Sequence, residues 1–225
     1  MISNTAYDAI IFDMDGLMFD TERIGYDAFV HASKLHGYID KTGFFKTLIG
    51  MNVPDADIAI KGIFGGEFPI AKVREERSAY MLNIRNTTGI PVKLGLKELL
   101  NYLKSQNILM GVASSSSRHD VEQNLDNADL QNYFSCLFCG DEVVNGKPDP
   151  EIYLKTAKQL SVTPSRCVVL EDSSRGLQAA YAAGMIPIMV PDMQKPTDED
   201  KKRAYRVLLS LKEVKKHLEE IDVNK

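Results

Sequence analysis

The chain has 225 residues, 44% of them hydrophobic and 26% charged, with a formal net charge of −4. These ordinary globular values exclude disordered, collagen-like and low-complexity classes, and the mild negative charge offers no nucleic-acid or anionic-membrane surface. No apolar run approaches the ~20 residues that span a bilayer, and the polar start from Met1 to Asp8 carries no secretory pattern. Three cysteines cannot all pair with one another, so a free-thiol, cytoplasmic protein is expected.

The predicted elements alternate. Ala9–Phe12 is a short apolar run ending in acid, and Ile108–Ala113 is a second, ending in serines. Ser135–Gly140, Cys167–Leu170, Ile186–Val190 and Arg206–Leu209 complete the series. Short, continuous apolar runs suit strands buried on both faces of a parallel sheet. Helical patterns lie between them. Gly95–Gln106 places Leu96, Leu99, Leu100 and Leu103 on one stripe, and Pro150–Leu160 opens behind Asp149 as its cap. Leu177–Ala183 stops at Gly184. The fold class predicted is α/β, a doubly wound, Rossmann-like parallel sheet.

One stretch breaks the alternation. Residues 19–87 contain helical patterns over Thr21–His36, Pro54–Phe64 and Pro69–Arg85, and no convincing strand. The chain then returns through Thr87-Thr88-Gly89-Ile90-Pro91, a run of turn formers. This predicts an all-helical cap, 19–87, inserted into an α/β core made of 1–18 and 88–225.

Four polar sites stand where predicted strands end, which is where open α/β sheets place ligands. In Asp13-Met14-Asp15-Gly16, residues two apart in an extended segment share a face, so Asp13 and Asp15 converge. Two such carboxylates suit a nucleophile and a general acid/base working with a divalent metal. Ser114 can donate its hydroxyl to a phosphate oxygen, and the turn that follows, with Ser115, can add donors. Lys147, in Gly146-Lys147-Pro148, is a positive charge held beside a rigid proline. Glu171-Asp172 offers hard oxygen ligands of the kind Mg²⁺ prefers. Each fragment alone reads as an ordinary turn or cap. Their joint occurrence, in this order and each at a strand end, carries the functional reading.

These residues resemble the haloacid dehalogenase superfamily of aspartate-dependent phosphotransferases over essentially the whole chain. The stretch Ile11-Phe12-Asp13-Met14-Asp15-Gly16-Leu17-Met18-Phe19-Asp20-Thr21-Glu22 is similar to its first motif, and Val112-Ala113-Ser114 to its second. Gly146-Lys147-Pro148-Asp149-Pro150 resembles the third, and Leu170-Glu171-Asp172-Ser173 with Gly176 the fourth. The insertion looks like that of the sugar-phosphatase and β-phosphoglucomutase branch. The first motif and Gly184-Met185…Val190-Pro191-Asp192 also look similar to pseudouridine-5′-phosphatases.

The resemblance implies an aspartyl-phosphate on Asp13, proton transfer by Asp15, and phosphoryl binding by Ser114, Ser115 and Lys147. It implies Mg²⁺ held by Asp13, the Asp15 backbone carbonyl and Asp172, with Glu171 close by or ligating. The expected activity is hydrolysis of a small phosphomonoester, a sugar phosphate or nucleotide-like metabolite, by a monomer without nucleic-acid or membrane partners. Mutase activity of the β-phosphoglucomutase type is the alternative, and a non-catalytic binding module a remote one. The mutase branch carries a histidine in its first cap helix and a lysine in a later one; Gly25 and Glu76 stand at the matching positions here. Arg74, Arg77 and Lys46 are read as a solvated helix face rather than substrate contacts. The Cys136-x-x-Cys139 pair is read as buried thiols rather than a redox or zinc site.

Overall fold

The apolar runs become six strands in a computed structural model that describes residues 7–48 and 53–223. Of the polar start from Met1 to Asp8, the part up to Ala6 lies outside the described residues. The strands are β1 (Ala9–Phe12), β2 (Leu109–Ala113), β3 (Cys136–Phe138), β4 (Cys167–Glu171), β5 (Ile186–Met189) and β6 (Arg206–Val207). They form one parallel sheet in the order β3-β2-β1-β4-β5-β6. Every residue of β1 and β4 is buried, so neither strand needs to alternate polar and apolar positions. This is the predicted doubly wound core, and its strand order reverses at β1 and β4.

Backbone packing divides the chain into two units, Met1–Asp20 with Pro91–Lys225, and Thr21–Ile90. The second unit starts two residues later and ends three residues later than the 19–87 insertion expected from sequence, for a reason visible in the backbone. The outgoing and returning segments pair before they part: Asp20 N–H donates to Pro91 C=O at 2.9 Å and Lys93 N–H to Met18 C=O at 2.9 Å. Both segments therefore belong to the sheet-bearing unit.

Among the described residues, the helices of that unit follow three helices of the other unit in the chain and are numbered after them. Helix α4 (Leu96–Ser105) buries the predicted leucine stripe. Helix α5 (Arg118–Asn127) has few apolar residues and was legible in sequence only as a turn in which a helix could start. Its N-cap is Ser117, which accepts from Asp120 N–H at 3.3 Å. Helix α6 (Glu151–Leu160) starts one residue after Pro150, and Asp149 Oδ1 accepts from Glu151 N–H at 2.9 Å. Helix α7 (Ser174–Ala182) begins about a turn before the expected Leu177, because Ser173 caps it. A short α8 (Asp198–Arg203) and a final α9 (Leu211–Val223) divide the charged C-terminal segment.

The helical unit contains α1 (Thr21–Leu35), α2 (Val53–Phe64), α3 (Ile70–Thr87) and a 3-10 turn at Phe44–Leu48. Its core is small and aromatic: Ala32, Phe45, Ile60, Phe68 and Val73 are buried, with Phe29, Tyr38 and Phe64 packed against them. Phe29 and Phe45 meet edge-on with centroids 4.9 Å apart, and Tyr38 and Phe64 do so at 5.8 Å. Among the described residues this unit has no strand of its own. No helix of the described chain is long and apolar enough to cross a membrane.

Candidate active site

Strand register brings the polar strand ends to one level. Phe12 pairs with Val112 on one side and Leu170 on the other, so Asp13 emerges between Ala113 and Glu171. Ser114 and Asp172 follow one step later. The ladder continues past the strands: Asp13 N–H donates to Leu170 C=O and Ser114 N–H to Phe138 C=O, each at 3.0 Å. Gly16 then takes φ 79°, in the left-handed region that glycine tolerates, and turns the chain out of the sheet.

Asp13 and Lys147 are both buried although both are ionisable. The Lys147 ammonium donates to Asp13 Oδ1 at 2.5 Å, to Glu171 Oε1 at 2.7 Å and to the Ala113 carbonyl at 2.9 Å. It also lies 4.8 Å from the centre of the Tyr153 ring. Its own carbonyl is held by the Arg175 guanidinium. The three donor protons of the ammonium are thus all used, which is what a buried charge requires.

Glu171 is the anchor of this arrangement. It is fully buried, and both its oxygens accept twice. Oε1 accepts from Lys147 and from Tyr153 O–H at 2.6 Å; Oε2 accepts from Ser173 N–H at 3.0 Å and Ser173 O–H at 2.9 Å. Gly176 makes room for it, since a Cβ there would stand 1.6 Å from Oε1.

Charge is unevenly distributed in this cluster. Burial alone would push Glu171 up, but Lys147 and the surrounding donors hold its carboxyl below the usual range. Burial would lower the Lys147 ammonium, and the two carboxylates override it and hold it well above its usual range. Asp13 is left in the opposite condition. Burial pushes its carboxyl up; Lys147 resists, and the charges of Glu171 and Asp15 add to the upward push. One ammonium is shared among too many acids.

That surplus of negative charge is the fit test for a metal. Asp13, Glu171 and Asp172 each offer a carboxylate oxygen, all within 4.8 Å of one another. An all-oxygen, net-anionic set suits a hard divalent cation such as Mg²⁺. Since Glu171 already accepts four hydrogen bonds, Asp13 and Asp172 are the better-placed carboxylates.

The carboxyl of Asp15 has a different environment. Its Oδ2 accepts from Ser116 O–H at 2.6 Å and from Ser114 O–H at 3.2 Å. Ser114 is fully buried, while Ser115 is exposed. Of the serines after Ser114, therefore, Ser116 is the one that reaches an acid of the cluster, and sequence reading did not single it out. Four consecutive serines hide which one turns inward. Tyr153 was missed as well; its place in the motif-free helix α6 gave no signal.

The remaining candidates have partners of their own. In the helical unit, Arg77 donates through Nε to the Gly25 carbonyl at 3.1 Å, Arg74 pairs with Asp57, and Lys46 lies over the Tyr26 ring at 5.8 Å. Cys136, Cys139 and Cys167 are free thiols. Burial pushes Cys139 up to about 12, which disfavours the thiolate that redox or metal chemistry needs.

Residues 10–190 match the family described as haloacid dehalogenase-like hydrolase. A Thermotoga maritima protein named "Phosphorylated carbohydrates phosphatase" is 32% identical over 182 residues, covering 79% of this chain and 82% of the relative. A Drosophila melanogaster protein named "Probable pseudouridine-5′-phosphatase" is 33% identical over 215 residues, covering 91% and 90%. The crystal structure of a β-phosphoglucomutase from Clostridium difficile superposes with a TM-score of 0.70 at 27% identity, covering 97% of this chain and 98% of that one.

Proposed function

The chain belongs to the haloacid dehalogenase-like hydrolase family, and on that premise we propose that it is a Mg²⁺-dependent phosphatase of a small phosphomonoester, a sugar phosphate or nucleotide-like metabolite. The observation that carries this reading is the contrast between Asp13 and Asp15. Two residues apart, one carboxyl is buried against an ammonium and the other is part-exposed and held by hydroxyls. Pairs of acids in such unlike environments divide the roles of nucleophile and acid/base.

In this reading Asp13 attacks phosphorus and becomes an aspartyl-phosphate, while Lys147 opposes the upward push that burial gives the attacking carboxyl and faces the charge that develops on the phosphoryl oxygens. The Ser114 hydroxyl turns to a phosphoryl oxygen. Asp15 protonates the departing oxygen and then takes a proton from the water that hydrolyses the intermediate. Bound Mg²⁺, held by Asp13, Asp172 and the Asp15 carbonyl, would neutralise phosphoryl charge. Tyr153, Ser173 and Gly176 act on none of these atoms; they keep Glu171, and through it Lys147, in place.

Hydrolysis is favoured over mutase chemistry by the helical unit. Gly25 offers no side chain, and Glu76 is bonded to His36 at 3.1 Å. The histidine and lysine of the mutase branch have no counterpart at these positions.

The test is phosphate release from hexose phosphates, hexitol phosphates, glycerol phosphate, nucleoside monophosphates and pseudouridine 5′-phosphate, with and without Mg²⁺. Wild type should release phosphate only with the metal, and Asp13→Asn should release none. Conversion of β-glucose 1-phosphate to the 6-phosphate without release would establish the mutase instead.

A further inference from the structure

We propose that Ser116 is a positioning residue for the acid–base carboxyl of Asp15, and that it decides which oxygen of that carboxyl presents the proton. This rests on the phosphatase reading above.

The geometry distinguishes two hydroxyls on one oxygen. Ser116 O–H meets Asp15 Oδ2 at 2.6 Å, within the range of strong hydroxyl–carboxylate bonds. Ser114 O–H meets the same atom at 3.2 Å, beyond the usual range for such bonds. An oxygen that already accepts a hydroxyl donor is the poorer site for a proton of its own. When Asp15 is protonated, the proton therefore sits on Oδ1, which leaves Oδ1 as the donor.

Only Ser116 can keep this arrangement during turnover. A serine hydroxyl has a single proton to donate. When Ser114 turns that proton to a phosphoryl oxygen, its hold on Asp15 ends. Ser116 then remains as the donor that keeps Oδ2 occupied. In the first step an oxygen of Asp13 bonds to phosphorus, the bond from phosphorus to the leaving oxygen breaks, and the proton passes from Asp15 Oδ1 to that oxygen.

The backbone around Ser116 is built to hold it. Ser116 N–H donates to Ser114 Oγ at 3.0 Å, and its carbonyl accepts from Gly140 N–H at 2.8 Å. Gly140 has no space for a side chain, since a Cβ would stand 2.1 Å from the Ser115 carbonyl oxygen. Just beyond, the Arg118 guanidinium spans to both Glu142 oxygens at 2.7 and 2.8 Å and to the Leu137 carbonyl at 2.9 Å. The Arg118 backbone N–H donates to Asp141 Oδ1 at 3.1 Å. The serine turn is thus fastened to the loop after β3 by an ion-paired clamp.

The test uses leaving-group dependence. kcat/KM reports events up to the departure of the leaving group, where Asp15 acts as an acid. An alkyl phosphate needs that proton; p-nitrophenyl phosphate, with a good leaving group, does not. Ser116→Ala is expected to lower kcat/KM about 10- to 100-fold on the alkyl phosphomonoester that wild type turns over best, the loss of one hydrogen bond to a carboxyl that becomes charged as it gives up its proton. On p-nitrophenyl phosphate the same variant should stay within about threefold of wild type. Ser116→Thr, which keeps the hydroxyl, should retain turnover of the alkyl ester. Equal losses on the two esters, no loss on the alkyl ester, or failure of the threonine variant to retain turnover would overturn the proposal. Asp13→Asn, run alongside, tests the underlying reading separately: if it keeps turnover on both esters, the phosphatase reading fails whatever Ser116 does.

Discussion

Gly176→Ala sets two physical effects against each other. Gly176 lies inside α7, where alanine is the better helix former by about 1 kcal/mol, so local propensity predicts stabilisation. Packing predicts the reverse. The new Cβ would stand 1.6 Å from Glu171 Oε1, 2.0 Å from Cδ and 2.4 Å from Oε2, where an ordinary contact begins at 3.4 Å. The carboxyl must retreat by roughly 1.8 Å, the difference between the first and last of these distances. Its bonds to Lys147, Tyr153 and Ser173, now 2.6–3.0 Å long, cannot survive such a shift together. Breaking a buried ion pair costs ~3–5 kcal/mol and overpacking ~1–3 kcal/mol, partly the same loss counted twice. A net destabilisation of about 3 kcal/mol is expected, or about 6–12 °C in Tm at this chain length. Thermal unfolding of wild type, Gly176→Ala, Glu171→Ala and the double variant measures it. In the Glu171→Ala background the obstructing carboxyl is gone, so the glycine substitution should there be neutral or mildly stabilising. A Gly176→Ala protein as stable as wild type, or more so, would refute the anchoring role of Glu171.

Gly25→Ala is the contrasting case: its obstacle is the end of the flexible Arg77 side chain, which can swing away, so Tm should move by no more than about 3 °C. A drop beyond about 5 °C would mean that the guanidinium is locked in place. Saturating Mg²⁺ should raise the Tm of wild type by about 5–10 °C, as binding at about a hundred times Kd stabilises by ~2.7 kcal/mol. Asp172→Asn should lose most of that rise, and an undiminished rise would place the cation elsewhere. The thiols of Cys136 and Cys167 are pushed up to about 11 and that of Cys139 to about 12, all by burial. An acid with a raised pKa stays protonated below it, so at pH 8 a thiol-reactive disulfide reagent should modify the native protein very slowly and all three cysteines once it is unfolded. Rapid labelling of the native protein would contradict this.

The acids at the strand ends were legible because their signals are local. An apolar run that stops at Asp13, or at Glu171 and Asp172, announces a buried strand and the polar residues at its end within a few positions. The helical patterns over Thr21–His36, Pro54–Phe64 and Pro69–Arg85 likewise announced helices without strands. Element ends were less legible. Helix α7 begins at Ser174 because the Ser173 hydroxyl accepts from Gly176 N–H, a cap that no hydrophobic periodicity records. Helix α5 buries only Val121, Asn124 and Leu125, too little to print a stripe on the sequence.

Sequence by itself determined the alternating sheet, the helical insertion and the acids placed at the strand ends, since each is written in neighbouring residues whose period and termination follow from backbone geometry. Tertiary structure alone decided how those acids are used. Glu171 was legible as an acid, but its four donors come from Ser173 next to it and from Lys147 and Tyr153, brought near only by the fold. Among four serines in a row, only the turn fastened to Gly140 and Glu142 decides that Ser116 reaches Asp15, a hundred residues earlier in the chain. Such choices depend on distances between segments far apart in sequence, and no local pattern encodes them.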